Sequence, residues 1–225
     1  HKMADHTCKI LEQSMDGSLL EIDGTQVWSR LIGEHNAYNL LAIYSTAVEM
    51  GIDKEKALIA LSDLREAPGR LETIRITNEK TVVIDYAHTP DALDNILKTL
   101  KKVCGSSELV CVFGCGGDRD RSKRPEMAKI AQKYSDRIIV TSDNSRSENT
   151  EDIMREISSG FDAKGRLISL CIADRKEAIK AAIMFSKPGA TILLAGKGHE
   201  TYQIIGDKKL HFDEREIINE ITQTC

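Results

Sequence analysis

Four short stretches of this 225-residue chain concentrate the residue types that bind or stabilise charge. They are Asp85-Tyr86-Ala87-His88-Thr89-Pro90, Gly114-Cys115-Gly116-Gly117-Asp118-Arg119-Asp120, Ser142-Asp143-Asn144-Ser145-Arg146 and Gly196-Lys197-Gly198-His199-Glu200, and each follows an apolar run. Together they offer carboxylates, several cations, two imidazoles and glycine-flanked amides, a set that suits a zwitterionic or phosphorylated ligand. Each stretch also has a plainer reading. Asp85 and His88 can equally cap a following helix. The glycine stretch looks like a phosphate loop but lacks both the Gly-Lys-Ser/Thr ending of a P-loop and the spacing of a dinucleotide fingerprint. Gly196-Lys197-Gly198 reads equally as a strand-to-loop turn, and Arg146 as an exposed loop cation. What favours a site is common placement: open α/β sheets bind ligands in the crevice at the carboxyl ends of their strands, where all four turns fall.

The elements that would position these turns are Thr81-Val82-Val83-Ile84, Leu109-Val110-Cys111-Val112-Phe113, Arg137-Ile138-Ile139-Val140 and Thr191-Ile192-Leu193-Leu194-Ala195. Continuous apolar runs alternating with helical periodicity are the pattern of a buried parallel sheet flanked by helices, so an α/β, Rossmann-like domain is expected after residue 78. One helix is predicted with Thr89 as N-cap and Pro90 at its first position, burying Leu93, Ile96, Leu97 and Leu100. Another is predicted from Asp174, with Glu177 three residues on as in a capping box, to Pro188-Gly189. Before residue 78 the pattern is different. Cys8 to Glu12 and Ser18 to Ile22 alternate, and turns at Asp16-Gly17 and Asp23-Gly24 predict antiparallel hairpins. A helix from about Asn36 to Gly51 is expected to bury Leu40, Leu41, Ala47 and Val48, with a second from about Asp53 to Leu64.

Composition narrows the function classes. Hydrophobic residues make up 41%, enough for a packed core, and the net charge of -4 comes from interspersed charges. That mixture predicts no general nucleic-acid surface. No apolar run is long enough to span a membrane, and the first residues lack the apolar core of a signal peptide, so a cytoplasmic location is expected. The six cysteines, Cys8, Cys104, Cys111, Cys115, Cys171 and Cys225, are scattered and read as reduced, buried thiols. A metal site at Cys111 and Cys115 would need a second Cys or His pair that the spacing does not supply.

The turns also carry a resemblance. Asp85 to Leu93, Gly116-Gly117-Asp118-Arg119-Asp120 with Lys123-Arg124-Pro125, and Gly196 to Glu200 resemble the Mur ligase family, in the branch that adds the third residue of the peptidoglycan stem peptide. Gly33-Glu34-His35-Asn36-Ala37-Tyr38-Asn39 and Ala67-Pro68-Gly69-Arg70-Leu71-Glu72 extend it, so that it covers nearly the whole chain from about residue 30. The resemblance implies that residues 1–77 are the α+β tail of a central ATP-binding domain and residues 78–225 a C-terminal Rossmann-like domain that binds the incoming amino acid. No P-loop is present. The family's carbamylated lysine and Mg2+ ligands also fall outside this stretch, which by itself is not expected to catalyse ligation.

In the activity so implied, phosphoryl transfer from ATP, with Mg2+, activates the terminal carboxylate of UDP-N-acetylmuramoyl-L-alanyl-D-glutamate (UDP-MurNAc-dipeptide) as an acyl phosphate. The amine of meso-diaminopimelate then attacks. By the same resemblance Asn39 contacts adenine, Arg70 the phosphates or groups near them, and Asp85 the ribose, with Tyr86 and His88 beside them. Arg119, Asp143, Asn144, Ser145, Arg146, Gly196 and Glu200 surround the amino acid. A monomer is expected, acting on small molecules rather than on nucleic acid or membrane.

The charge logic favours diaminopimelate, whose side chain ends in a carboxylate and an ammonium. A guanidinium such as Arg146 can clamp the first and a carboxylate such as Glu200 the second, whereas Arg146 would repel the cationic end of lysine. Two positions depart from the family pattern. Ser145 stands where diaminopimelate-type loops have proline, which predicts a more flexible loop and a less preorganised Arg146. His35 stands where Phe is common. The rival readings are a lysine-adding ligase of the same family, a folylpolyglutamate synthase, and a non-catalytic amino-acid-binding module.

Overall fold

A computed structural model of the chain describes residues 4–77 and 79–224; Asn78, where the predicted second domain begins, and Cys225 lie outside the described residues. The chain forms two compact units, one ending at Ala67 and one beginning at Pro68.

In the first unit β1 (Cys8–Ser14), β2 (Gly17–Ile22) and β3 (Thr25–Ser29) form an antiparallel meander, followed by α1 (Glu34–Glu49) and α2 (Lys54–Ser62). The β2–β3 turn is Asp23-Gly24, with both residues at positive φ (47° and 82°), the geometry that matches the strand twist in a two-residue hairpin. The β1–β2 turn is shifted by one residue from expectation. Ser14 pairs with Gly17, so Met15 and Asp16 make the turn and Gly17 opens β2, where a Cβ would collide with the Ser29 carbonyl. Leu20, Ile22 and Val27 pack against Ala37, Leu40 and Tyr44 of α1 and Ala57, Leu58 and Leu61 of α2. The core face of α1 is thus centred on Ala37, Leu40 and Tyr44, while the expected Leu41, Ala47 and Val48 are half-buried beside it. The α2 N-cap is Asp53, which accepts the Lys56 amide.

The second unit opens with β4 (Glu72–Arg75), β5 (Thr81–Asp85), α3 (Pro90–Val103), β6 (Leu109–Phe113), α4 (Lys123–Tyr134) and β7 (Arg137–Val140). It continues with α5 (Thr150–Ser158), α6 (Ala163–Ile168), β8 (Ser169–Cys171), α7 (Arg175–Phe185), β9 (Thr191–Ala195), β10 (Tyr202–Ile205), β11 (Lys208–His211) and α8 (Glu214–Thr224). The central sheet has the order β4-β5-β9-β6-β7-β8 and is parallel apart from the antiparallel edge strand β4. The pairing of β4 with β5 draws residues 72–75 into this unit, ahead of the change in sequence pattern at residue 78. On one face Val82, Ile84, Val110, Val112, Ile192 and Leu194 pack against α7 and α8. The alternate residues Val83, Cys111, Phe113, Ile138, Val140 and Leu193 are buried on the other face, the side of α3, α4 and α5.

Local capping follows expectation. Thr89 accepts the Ala92 amide with Pro90 in the first turn of α3, whose Leu93, Ile96, Leu97 and Leu100 are buried, and Asp174 accepts the Glu177 amide at the start of α7. The cysteines differ from expectation. Cys111 and Cys115 are buried, but Cys8 and Cys104 are half-buried and Cys171 is exposed. Among the described residues no three His, Cys, Asp or Glu side chains gather as metal ligands, and no helix is long and apolar enough to cross a membrane.

Candidate functional site

The strands end level with one another. Asp85 pairs with Ala195, Ala195 with Phe113 and Phe113 with Val140, so a single row across the sheet launches all four polar turns from one rim. Arg175, fully buried at the start of α7, ties two of these ends together. Its guanidinium donates to Ser142 O (3.2 Å) after β7 and to Ala195 O (2.9 Å) after β9, and Glu214 of α8 neutralises it at 2.9 Å.

The loop after β7 is buried from Thr141 to Ser145 and braced from two directions. From the β10 side, Gln203 Nε2 donates to Ser142 Oγ (2.8 Å) and Asp143 O (3.0 Å), and the Ile204 amide donates to Asn144 Oδ1 (2.9 Å). From the loop after β6, the Gly117 amide donates to Asn144 O at 2.9 Å. Arg146 sits at a positive φ of 50°, uncommon for a residue with a Cβ, and is clamped there as its amide donates to Ile204 O (3.2 Å) and its carbonyl accepts Gly206 N (2.8 Å). Its Nη1 donates to Gly117 O (2.7 Å) and Asn144 O (3.4 Å). Arg146 is therefore half-buried and held, not a solvated loop cation, and hydrogen bonds from β10 supply the preorganisation that Ser145 was expected to lose. Ser145 itself is buried and its carbonyl accepts Glu148 N.

Beneath this loop lies Lys197, fully buried. Its Nζ donates to Asn144 Oδ1 (3.2 Å), Asp143 Oδ1 (3.3 Å) and Glu200 Oε2 (3.3 Å), and Asn144 Nδ2 also donates to Glu200 Oε2 at 2.9 Å. Burial works against the charge of Asp143, but the cations Lys197 and Arg175 prevail and hold its carboxyl below the usual range. Gly196, at a φ of 116°, lets the chain turn beside Asp143: a Cβ there would lie 3.1 Å from Asp143 Oδ2.

The glycine stretch after β6 packs against the loop after β7. The Gly117 and Asp118 amides are committed to Asn144 O and Glu148 Oε1, and a Cβ at Gly114 or Gly117 would collide with the carbonyl of Thr141 or Ser145. These glycines permit close packing of one rim loop on the next. Behind them the buried Arg124 grips Glu148 with Nη1 and Nη2 (2.9 Å each), Glu156 (2.7 Å) and Gly116 O (3.3 Å). The Arg124 hydrogen bonds push the Glu148 carboxyl down to about 2.

The residues after β5 are more loosely held. Asp85 accepts the amides of Leu71 and Ala87 (2.8 Å each), and His88 Nδ1 lies 2.8 Å from Tyr86 O, so neither side chain caps α3. The Tyr86 ring is ringed by His88 and His199, with centroids at 4.6 and 5.1 Å, and by the exposed Arg70 guanidinium at 5.0 Å. Lys123 Nζ donates to His88 O at 2.8 Å.

A cleft of about 440 Å³ opens at this rim. Of the expected residues, Tyr86, His88, Arg119, Asp143, Asn144, Arg146, Gly196 and Glu200 line it. Ser145 is buried in the loop behind, Asp85 lies under its turn, and Arg70 reaches the cleft region through Tyr86. Asn39 belongs to the first unit, exposed on α1. Sequence reasoning assigned no role to Lys197, Arg124, Arg175 or Gln203, the four side chains that hold this rim. The only sequence signal was the appearance of the first two within motifs. Cations Arg119, Lys123 and Arg146 alternate with Asp120, Glu126, Asp143 and Glu200 around the opening, the mixture that a zwitterion requires. The thiol nearest the rim, Cys115, is buried and pushed up to about 12 by that burial, which disarms it as a nucleophile.

An open, mostly parallel sheet with a mixed-charge cleft at its carboxyl rim defines a Rossmann-like α/β domain. Residues 69–198 match the family described as Mur ligase, glutamate ligase domain, and the chain belongs to that family. It is 47% identical over 222 residues to the UDP-N-acetylmuramoyl-L-alanyl-D-glutamate--2,6-diaminopimelate ligase of Cytophaga hutchinsonii, covering 99% of this chain and 46% of that one. The protein of the same description from Parabacteroides distasonis is 48% identical over 223 residues, with the same coverage. A solved structure of such a ligase matches with a TM-score of 0.75 at 38% identity, over 100% of this chain and 46% of its own. The chain thus spans about half the length of the curated relatives it matches.

Proposed function

We propose that this chain forms the amino-acid-binding part of an ATP-dependent ligase that joins meso-diaminopimelate to UDP-N-acetylmuramoyl-L-alanyl-D-glutamate in peptidoglycan synthesis. The first unit, to Ala67, would then be the tail of the ATP-binding domain and the second unit the C-terminal domain. The observation that carries the reading is the pairing of Arg146 and Glu200 in one braced wall. Two carbonyls occupy Nη1 of Arg146, which leaves the Nε–Nη2 edge to a carboxylate in two parallel hydrogen bonds. Asn144 and Lys197 hold one oxygen of Glu200, which leaves the other to an ammonium. A carboxylate and an ammonium on one carbon are what the distal end of meso-diaminopimelate presents. Arg119 and Gly196 complete the enclosure, and Asp143, Asn144 and Ser145 hold its shape.

For the nucleotide we assign Arg70, Tyr86 and His88, which offer a cation and stacked rings; Asp85 anchors their turn. The sequence has no Gly-Lys-Ser or Gly-Lys-Thr loop. In this reading we assign the metal and the triphosphate to parts of the relatives' length that this chain does not span. The contribution of this chain is positioning: it holds the attacking amine in place, an effect that alone can supply a large share of the rate.

The test is a side-by-side assay of the complete ligase containing this chain, supplied with ATP, Mg2+ and the nucleotide dipeptide. We expect kcat/KM for meso-diaminopimelate to exceed that for L-lysine by at least about a hundredfold, since a site built to pair a charged group rejects an analogue lacking it. Equal or faster turnover of lysine would mean a lysine-adding ligase, and no turnover of either would leave a binding module.

A further inference from the structure

Lys197 stands out as an ammonium with no exposure, placed under the floor of the cleft and not in it. Its three N–H donors meet three oxygens, Asp143 Oδ1, Asn144 Oδ1 and Glu200 Oε2, at 3.2–3.3 Å. All three acceptors belong to residues that line the cleft. A buried ammonium carries a desolvation cost that an apolar side chain of the same length would avoid, so its presence asks for a role beyond filling space. From the geometry we infer that Lys197 is a positioning residue that sets amino-acid specificity. It anchors Oε2 of Glu200 and the side-chain oxygen of Asn144, so that the second oxygen of Glu200 is presented to the distal ammonium of a diamino diacid. The inference rests on the diaminopimelate reading above.

The charges explain why the anchor must be a cation. Asp143 and Glu200 are gathered about one nitrogen, and like charges so placed repel when that nitrogen is removed. Asp143 keeps other partners, the Asn144 amide at 2.8 Å and the nearby Arg175. Glu200 keeps only Asn144 Nδ2 and is half-buried, so it is the carboxylate that moves. The consequence is selective. A ligand with a distal ammonium loses its partner, whereas a ligand with only a distal carboxylate still meets Arg146, which Lys197 does not touch.

The complete ligase separates this role from a general contribution to folding by comparing meso-diaminopimelate with 2-aminopimelate, which keeps the distal carboxylate and lacks the distal amine. The unsubstituted enzyme should prefer meso-diaminopimelate by at least about tenfold in kcat/KM, the effect of one charge-assisted hydrogen bond. In Lys197→Met that preference should fall to about twofold or less, through a raised KM for diaminopimelate with the KM for ATP unchanged. Lys197→Gln, which keeps a donor, should fall between the two. An undiminished preference, with both substrates turned over equally more slowly, would overturn the inference. Loss of folding in both variants, read by thermal melting, would assign Lys197 to the fold alone and overturn it as well. If the unsubstituted ligase does not use diaminopimelate at all, the functional reading fails before either variant is made, and the inference falls with it.

Discussion

The side of the cleft formed by Asp143, Asn144, Arg146 and Glu200, backed by the buried Lys197, is cross-linked by hydrogen bonds, whereas the lining formed by Tyr86, His88 and Lys123 rests on ring stacking and a single contact between exposed groups. On the function proposed above, the difference tracks what each would do. Discriminating one amino acid from another by a single charged group requires donors and acceptors fixed before the ligand arrives, because side-chain ordering on binding would consume the gain. Gripping a phosphorylated partner whose position changes during reaction asks for charge and stacking surface more than for rigidity. The braced lining gains its rigidity from elements remote in sequence, the β10 strand and the Arg124–Glu148 pair, and each gives a way to break the contrast.

The largest effect is expected at Arg124. Arg124→Met removes a buried guanidinium and leaves Glu148 and Glu156 to Arg121 alone among the cations, at 2.9 and 3.5 Å, and should cost about 3 kcal/mol of stability in urea unfolding. A loss under 1 kcal/mol would show that the rim loops do not depend on it. Next is Gln203→Leu, which deletes the bonds to Ser142 and Asp143 and should cost about 1–3 kcal/mol. It should also raise the KM of the complete ligase for the amino acid while leaving that for ATP unchanged; equal changes in both would dissolve the distinction between the linings. The smallest effect is a pH dependence. The Glu148 carboxyl is held near 2 by its Arg124 hydrogen bonds, against an ordinary value of 4.5. A depressed carboxyl stabilises the fold above 4.5, and that contribution is lost as the pH falls from 4.5 towards 2. Glu148→Gln should flatten the unfolding free energy over that window, and an unchanged slope there would remove Glu148 as its source.

The parts of this architecture that were legible in the sequence were the local ones. Continuous apolar runs gave β5, β6, β7 and β9 to within a residue, and Thr89-Pro90 and Asp174 marked helix starts because capping is a matter of three or four neighbouring residues. The edge strand β4, Glu-Thr-Ile-Arg, is short and half-buried, so it has no apolar signature, yet its pairing with β5 moves the unit boundary to Ala67. In α1 periodicity found Leu40 in the core, but Leu41, Ala47 and Val48 flank a face that Ala37 and Tyr44 complete. Four rim turns could be placed together from strand order alone. The groups that stiffen them could not, because Lys197, Arg124 and Arg175 are charged types that read as solvated until their partners, between 3 and 54 residues away, are brought up in space. Gln203 braces a loop 60 residues earlier, a contact with no local trace.

The central claim, that the braced lining selects the amino acid, stands most directly on Arg146. In the complete ligase Arg146→Ala should raise the KM for meso-diaminopimelate by at least about tenfold, the effect expected on losing a bidentate guanidinium–carboxylate pair, with the KM for ATP changed by less than about twofold. A change confined to ATP, with the KM for diaminopimelate unmoved, would contradict the account.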